Sequence, residues 1–254
     1  MAQVQSVERT LSILELLAEH PEGLGITELS RKMELAKSTA HRLLSTLVNR
    51  GYVEQKEENG DYRLGIQCLV IASSLLNNLD IRSVAKEALH TLARSSGEVV
   101  HLCMQDQYEV VYIDKVESEQ TLRMYSQIGR RAFMHCTGVG KALLSGISKE
   151  EVDKMIEEKG LPKFTENTIT DKEALFKELK LIREIGYAVD EQEHEKGIRC
   201  IAAPVFDHNG KAVAAISIAG PAERVTEERV KEELAKEIVD QSLAISKQLG
   251  FFKH

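Results

Sequence analysis

The amino-acid sequence predicts an α+β fold: an N-terminal winged helix-turn-helix domain and a C-terminal mixed α/β domain with an antiparallel sheet, joined by a linker helix. Three patterns predict this arrangement. Residues 25–65 combine two short helical stretches, a tight turn and a hairpin, and residues 66–78 carry apolar side chains at helical spacing. From Glu98 onward the apolar period becomes that of strands. We therefore place the domains at 1–65, 66–80 and 81–254.

The first domain contains three predicted helices and a hairpin. The first helix covers residues 6–19, with Leu11 among its inward side chains, and the second begins near Ile26 with Thr27 as its N-cap. After a two-residue turn, the third helix covers residues 36–49, and Gly51 ends it. Strand-like residues 52–55 and 62–64 flank an Asn-Gly pair that suits a hairpin turn.

The third helix has the pattern of a DNA-recognition helix. One side is apolar, through Ala40, Leu43, Leu44, Leu47 and Val48, and the other is polar and basic. Because such a helix enters the major groove through its N-terminal half, we expect DNA contacts from Lys37, Ser38, Thr39 and Arg42, with His41 at the flank and Arg63 in the wing. Arg42 is the best candidate to read a base, since its guanidinium can bond a guanine edge.

The remaining elements follow in order. The linker helix carries an apolar stripe of Ile66, Leu69, Val70 and Leu76 that needs a partner, and another helix covers residues 81–94. Strands are predicted at 99–104, 110–116 and 122–126, followed by a helix near Gly138 and two helices that begin at capping boxes, at Ser148 and Thr170. Residues 187–190 form a strand, 198–205 and 212–218 form a hairpin, and a long helix ends the chain.

Composition is compatible with these predictions. The 254 residues carry a net charge of −7, yet residues 31–50 contain five basic side chains and a single acidic one, a local basic surface that suits nucleic acid. No run of about 18 apolar residues indicates a membrane span. The four cysteines lack the spacing of a disulfide framework, so we expect a reducing, cytoplasmic setting.

Several motifs resemble one family. QSVER at 5–9, KSTAHRLL at 37–44 and RGYV at 50–53 lie in the first domain. CTGVGKA at 136–142, GYAVDE at 186–191 and GIRCIAAPV at 197–205 lie in the second. Together they resemble the IclR family of bacterial and archaeal transcription regulators over essentially the whole chain. The resemblance implies a winged helix joined to a GAF/PAS-like effector-binding domain, acting as a homodimer or dimer of dimers on a palindromic DNA operator. It also implies an effector-responsive regulator, most simply a repressor of a carbon-catabolism operon.

A candidate effector site combines residue chemistry with this resemblance. Gly138 and Val139 lie where a loop passes into a helix, so their backbone N–H groups can cradle an anion. The resemblance implies a pocket lined by Gly138, Val139, Asp190, Cys200 and Ser217, whereas a serine common in some members is Ala219 here. Asp190 would repel a carboxylate and should face a hydroxyl or another donor. A small oxo- or hydroxy-acid, or an aromatic acid, satisfies both ends.

Three other interpretations stay open at this point. Asp190 and Cys200 can be a turn residue and an inert core thiol. A bound metal is an alternative, although the spacing of its potential ligands matches no structural zinc module; these are His135, Cys136, Asp190, Glu191, His194 and Cys200. A cysteine enzyme would pair Cys136 or Cys200 with a histidine, but no catalytic signature surrounds either thiol. We therefore expect no enzyme activity and no required cofactor.

Overall fold

The computed structural model describes residues 4–56, 60–77, 80–117 and 126–251. The chain divides into two compact units, Met1–Leu79 and Asp80–His254. Each unit has its own sheet, of two strands in the first and six in the second. Among the described residues, none of the helices combines the length and the apolar character that a membrane crossing requires.

The first unit is a winged helix-turn-helix followed by a further helix. Its helices are α1 Gln5–Ala18, α2 Ile26–Lys32, α3 Lys37–Asn49 and α4 Ile66–Asn77, and its hairpin pairs β1 Val53–Gln55 with β2 Tyr62–Leu64. Helices α1 to α3 and the hairpin enclose a small core made of Ile13, Leu17, Leu24, Leu29, Ala40, Leu44, Leu47, Val53 and Tyr62. The predicted hairpin turn falls on residues 57–59, outside the described residues.

Three details of the first unit differ from the sequence predictions. Helix α2 begins after Gly25, with no side-chain cap, so Thr27 is inside the helix. Leu11 is 51% exposed because it lies on the side of α1 opposite the buried Ile13. Val48 is 37% exposed, since it lies about 80° around the helix from Ala40, at the edge of the apolar face.

The second unit is built on an antiparallel six-stranded sheet in the order β5-β4-β3-β8-β7-β6. The strands are β3 Val99–Asp106, β4 Glu109–Val116, β5 Arg131–Phe133, β6 Ala188–Glu191, β7 Ile198–Phe206 and β8 Ala212–Pro221. The turn between β7 and β8 has Gly210 at a φ of 75°, as its Asn-Gly pair predicts. The predicted strand at 122–126 lies outside the described residues except for Ser126, which is not in a strand, and β5 was not predicted.

Helices cover this sheet. They are α5 Asp80–Ser96, α6 Gly138–Ser145, α7 Lys149–Lys159, α8 Lys172–Ile185, α9 Glu227–Arg229 and α10 Ala235–Gln248, with a π-helical segment Val230–Leu234 between the last two. Ser148 caps α7 as predicted, whereas Asp171, rather than Thr170, caps α8 by accepting from the Ala174 N–H. The stronger acceptor of the Thr-Asp pair takes the cap position.

Packing on the sheet explains where a site can form. Helices α6 and α8 share a core cluster with Ala202 of β7 and Ala215 of β8. Side chains alternate along a strand, so Ile201 and Ala203 point to the other face; they are equally buried, and α10 packs on β7. The residues of β7 and β8 that share a face with Ala202 therefore end beneath the start of α6.

Candidate functional site

Helix α3 presents a polar face to solvent in the first unit. Its buried side chains are Ala40, Leu44 and Leu47. Of the predicted DNA contacts on this helix, Thr39 is half-buried, and the others are exposed: Lys37, Ser38, His41 and Arg42. In the described part of the chain, no carboxylate forms an ion pair with Arg42. This face is available to a polyanion.

The start of α3 also suits a phosphate. The N-cap is Ala36, which has no side chain that accepts a hydrogen bond, and its carbonyl accepts from the N–H groups of Thr39 and Ala40. The N–H groups of Lys37 and Ser38 precede the first helical bond, so they point away from the helix. Exposed N–H groups and the positive end of the helix dipole favour an anion there.

The wing residue is engaged within the chain. Arg63 lies directly across the hairpin from Glu54, and its guanidinium forms an ion pair with that carboxylate. Both side chains are about half exposed. The predicted contact of Arg63 with a DNA phosphate would therefore compete with Glu54 for the guanidinium.

In the second unit, a cavity of about 230 Å³ lies between the start of α6 and the sheet. All five residues predicted for an effector site line it: Gly138, Val139, Asp190, Cys200 and Ser217. They come from α6, β6, β7 and β8. The sheet brings them together because Cys200 pairs with both Asp190 and Ala219 across neighbouring strands.

The start of α6 forms one wall. Thr137 caps the helix by accepting from the Gly140 N–H, and its own hydroxyl donates to the Phe133 carbonyl. A Cβ on Gly138 would lie 3.2 Å from Cys200 Sγ, so the glycine is what permits this close approach. The Cys200 thiol itself donates to the Ile201 carbonyl, with 3.8 Å between sulfur and oxygen.

Asp190 is the acidic group of the cavity. Its Oδ1 accepts from the backbone N–H groups of Glu193, at 2.7 Å, and of His194, at 3.4 Å. Burial raises the pKa of Asp190 to about 7, with the charge of Glu193 adding to the rise. The side chain is therefore partly protonated near neutral pH and can donate as well as accept a hydrogen bond.

The cavity has residues that the sequence patterns did not identify. They include His101 and Tyr112 on the sheet, Arg130 before β5 and Glu195 after β6; His194, predicted only as a possible metal ligand, also lines the cavity. His101 is a polar residue within a predicted strand, which is a possible signal of a functional side chain. Both faces of β3 are buried, however, so its sequence shows no alternation of polar and apolar residues that would single out the cavity-facing position. Arg130 follows the undescribed residues 118–125, and the sequence gives no spacing that would bring it to the cavity.

A buried ionic cluster supports the turn that carries Asp190. Lys141 of α6 is 1% exposed, and its ammonium donates to the Val189 carbonyl at 2.6 Å and forms ion pairs with Glu193 and Glu178. Burial alone would lower the pKa of Lys141, but Glu193 and Glu178 outweigh it and hold that pKa above its ordinary value. The charged lysine thus anchors α6 to residues 189–193.

The geometry argues against the metal interpretation. Within the described residues, no three side chains of His, Cys, Asp or Glu are placed to share a metal ion. His135 instead donates from Nε2 to the Pro162 carbonyl at 3.0 Å, and Cys136 Sγ lies 3.7 Å from His194 Nδ1. The predicted ligands therefore do not converge.

The cysteines are also poorly suited to nucleophilic chemistry. Burial raises the pKa of both Cys136 and Cys200 to about 12, and the charge of Asp190 adds to the effect in each case. A thiol with so high a pKa holds almost no thiolate at neutral pH, and the thiolate is the nucleophile. Cys200 instead fills the floor of the cavity.

Sequence and structure comparisons agree on the family. The family described as "IclR helix-turn-helix domain" matches residues 6–57, and "Bacterial transcriptional regulator IclR C-terminal" matches residues 73–247. The HTH-type transcriptional regulator XynR of Escherichia coli (strain K12) is 39% identical over 251 residues, covering 99% of each chain. The acetate operon repressor of Salmonella typhimurium is 38% identical over 232 residues, covering 91% of this chain and 85% of that protein.

A solved structure extends the likeness to the fold. The Thermotoga maritima IclR crystal structure superimposes with a TM-score of 0.82 at 34% identity, covering 98% of this chain and 100% of that one. These relatives are transcription regulators rather than enzymes, which confirms the expectation from the sequence. The chain therefore belongs to the IclR family of DNA-binding transcription regulators.

Proposed function

We propose that this chain represses a carbon-catabolism operon and that a small organic acid, bound in the second unit, controls its affinity for DNA. The observation that carries the proposal is the single cavity lined by Gly138, Val139, Asp190, Cys200 and Ser217. Its volume of about 230 Å³ is below the ~300–1,000 Å³ of sites for drug-sized ligands, which favours a metabolite. The name of the Salmonella relative, an acetate operon repressor, supports the catabolic part.

Charge and hydrogen-bonding groups favour an acid with a second polar end. The Val139 and Gly138 amides and the Ser217 hydroxyl are donors for a carboxylate or carbonyl, and Arg130 adds a positive charge to the wall. Asp190 then faces the hydroxyl or other donor end of the ligand. Apolar surface from Val139, Ala132 and Ile198 accommodates a short carbon chain or an aromatic ring. Oxo-acids, hydroxy-acids and aromatic acids are therefore the proposed effector class.

The effector proposal is tested by ligand-dependent stabilisation of the full chain. We expect at least one acid in a panel of 2-oxo, 2-hydroxy and aromatic acids to raise the melting temperature, because a ligand that binds only the folded state stabilises it by RT ln(1 + [L]/Kd). Asp190→Ala serves as the cavity variant and should lose the shift. If no acid stabilises the wild-type chain, the proposed effector class is wrong.

The DNA proposal names Lys37, Ser38, Thr39, His41, Arg42 and Arg63 as contacts and a homodimer on a palindromic operator as the bound form. Selection of bound duplexes from a random library should return an inverted repeat. Arg42→Ala should weaken binding to that repeat by about 1–3 kcal/mol, with little change on random DNA, because it removes a base contact. Arg63→Ala should cost less, since Glu54 already pairs with Arg63. Equal losses on both DNAs would show that Arg42 contacts phosphate only.

The regulatory link requires that the effector bind the DNA-competent and DNA-incompetent forms with different affinity. The acid that stabilises the chain should therefore lower its affinity for the selected repeat. Titrating labelled repeat with the chain, with and without the acid, measures this coupling. A stabilising acid that leaves the DNA affinity unchanged contradicts the regulatory part while leaving the binding part intact.

A further inference from the structure

A second layer of hydrogen bonds lies behind Ser217 in the cavity wall. His101 on β3 pairs across the sheet with Ser217 on β8, and its Nδ1 lies 3.3 Å from the Ser217 hydroxyl oxygen. Its Nε2 lies 2.8 Å from the hydroxyl oxygen of Ser126. His101 is 2% exposed, and all three residues line the cavity. One imidazole ring therefore joins two hydroxyl groups that a ligand can reach.

The imidazole is neutral and its plane is fixed. Burial, followed by the charge of Lys115, lowers the pKa of His101 to about 3. The Tyr112 ring meets it edge-on, with 5.1 Å between ring centroids and 83° between planes. A neutral imidazole has one N–H donor and one acceptor nitrogen. The position of that single proton therefore decides what the Ser217 hydroxyl can offer to a ligand.

The two tautomers give Ser217 opposite roles. When Nδ1 carries the proton, it donates to the Ser217 oxygen, and the Ser217 hydroxyl is free to donate into the cavity; Nε2 then accepts from Ser126. When Nε2 carries the proton, it donates to Ser126, and Nδ1 accepts the Ser217 hydroxyl, so the Ser217 oxygen accepts from the cavity. In both states each ring nitrogen of His101 has a hydrogen-bond partner, so burial of the ring leaves neither nitrogen unpaired.

We propose that His101 is a specificity-determining positioning residue: through its two tautomers, it lets Ser217 bind either the carbonyl of a 2-oxo acid or the hydroxyl of the matching 2-hydroxy acid. This inference rests on the proposed function, that the cavity binds such an acid. A site that fixed Ser217 in one role would discriminate strongly, because the wrong partner leaves a buried polar group unpaired. The cavity should instead accept both oxidation states of one carbon skeleton.

The ligand test uses matched acid pairs on the full chain. Calorimetry with glyoxylate and glycolate, pyruvate and lactate, and phenylpyruvate and phenyllactate measures the affinity of each. For the pair that binds, we expect the oxo and hydroxy forms to differ by less than about 10-fold. A difference above about 100-fold overturns the proposal for His101. If the wild-type chain binds no member of any pair, the proposed effector class fails, and this inference fails with it.

Variants separate a role through Ser217 from a merely structural one. His101→Leu removes both hydrogen bonds of the ring. It should lower the affinity for both acids by about 10-fold, which corresponds to the loss of one neutral hydrogen bond. His101→Asn keeps a group near the Nδ1 position that can turn to donate or accept, so it should restore most of the affinity. In a Ser217→Ala background, His101→Leu should cause no further loss. An undiminished loss in that background contradicts the proposed path through Ser217.

A spectroscopic readout stands even if a variant folds poorly. The ¹⁵N chemical shifts of the imidazole in labelled wild-type chain report which nitrogen carries the proton. We expect a neutral ring from pH 6 to 8 in the free protein and opposite tautomers in the presence of the oxo and hydroxy acids. The same tautomer with both acids, or a positively charged ring at pH 6, overturns the proposal.

Discussion

Gly138 begins helix α6 without a side chain, and this absence shapes the cavity. A Cβ there would lie 3.2 Å from Cys200 Sγ and 3.4 Å from the Ala202 Cβ, which is tight contact against a wall of the cavity. The equivalent atom on Gly140 would lie 2.3 Å from the Met134 carbonyl oxygen, a clash with backbone that cannot move aside. The two glycines of one helical turn therefore serve different purposes, the first for the cavity and the second for the fold.

This contrast gives a prediction with an internal control. Gly138→Ala should leave the chain folded and raise the Kd of the effector by about 10-fold or more, because overpacking a wall typically costs about 1–3 kcal/mol. The effector should therefore stabilise this variant less than the wild type. Cys200→Ala in the same chain should recover part of the loss by making room. Gly140→Ala should instead lower the melting temperature strongly in the absence of ligand. Thermal melts with and without the acid distinguish the two, and equal behaviour of both variants would contradict this division of roles.

The carboxyl of Asp190 should make the stability of the second unit depend on pH. Burial raises its pKa to about 7, whereas the unfolded chain has the ordinary value of 3.8. Between those values, the folded state holds a proton that the unfolded state has lost, so the free energy of unfolding falls as pH rises. The slope for one group is at most about 1.4 kcal/mol per pH unit. Above pH 7 both states are charged, and the dependence ends.

Urea unfolding of wild type and Asp190→Asn between pH 5 and pH 8 measures this effect, because other groups contribute equally to both proteins. The stability of the wild type relative to the variant should decline over this range and level off above pH 7. An acidic effector should also bind the wild type more tightly at pH 6 than at pH 8, since a neutral Asp190 does not repel it. Parallel stability curves for the two proteins would show that Asp190 does not retain its proton on folding.

At the scale of elements, α6 and the turn after β6 act as one piece because Lys141 joins them. The lysine is buried with Glu193, whose backbone N–H also binds Asp190, so the acidic wall of the cavity depends on an ion pair inside the core. One oxygen of Glu193 is buried without a partner among the described protein atoms. Removing one member of such a pair leaves the other charge buried and uncompensated.

Lys141→Met should therefore lower the free energy of unfolding by about 3–5 kcal/mol. Lys141→Met with Glu193→Met should regain most of that loss, because two well-packed apolar side chains of similar volume replace a desolvated pair at little cost. The double variant should still bind the effector less tightly, since the turn loses its tether to Val189 and its hold on Asp190. Urea unfolding and calorimetry check the two parts, and a double variant less stable than Lys141→Met would contradict the ion-pair account.

The elements also show what a sequence can predict. Helix α3, the Asn-Gly hairpin and the Ser148 cap follow from local signals: apolar period, turn chemistry and a capping hydroxyl. Strand β5 was missed because its three residues are too few for a period and, unlike β1 and β2, it has no Asn-Gly turn that joins it to its partner strand. No local signal in the sequence predicts that Lys141 is buried. Only the tertiary structure brings Glu178 and Glu193 to it and buries it.

The residues of the candidate cavity also fall into two groups, those that the sequence identifies and those that only the tertiary structure brings there. Gly138, Asp190 and Cys200 lie in motifs that resemble the family, so the sequence identified them before any geometry was known. His101 and Arg130 belong to no such motif and reach the cavity through strand pairing and a loop. The sequence thus predicted cavity residues on α6, β6 and β7, whereas His101 and Arg130 were found only in the structure.

At the scale of the whole molecule, the first unit of the single chain exposes several large apolar side chains to water. On α1 these are Val4, Val7 and Leu11, which are 63%, 54% and 51% exposed. On α4, Ile66, Leu69 and Val70 of the predicted linker stripe are 69%, 59% and 54% exposed, and Ile71 is 51% exposed; the side chain of Leu76 lies outside the described residues. Burying such surface contributes roughly 25 cal/mol per Å². If the operator is an inverted repeat, as proposed, a second copy of the chain is the partner that would cover this surface.

The dimer prediction follows from this surface. Leu69→Glu should shift the chain from dimer to monomer at low micromolar concentration, because a buried unpaired carboxylate opposes association. Leu181→Glu is the matched control: Leu181 is 47% exposed on α8, and the same charge there should leave the dimer intact. Sedimentation velocity measures both. The Leu69 variant should also lose affinity for an inverted repeat while keeping its weak affinity for one half-site, since a single winged helix reads only half of the operator. A wild-type monomer that binds one half-site tightly would overturn both the dimer and the palindromic operator.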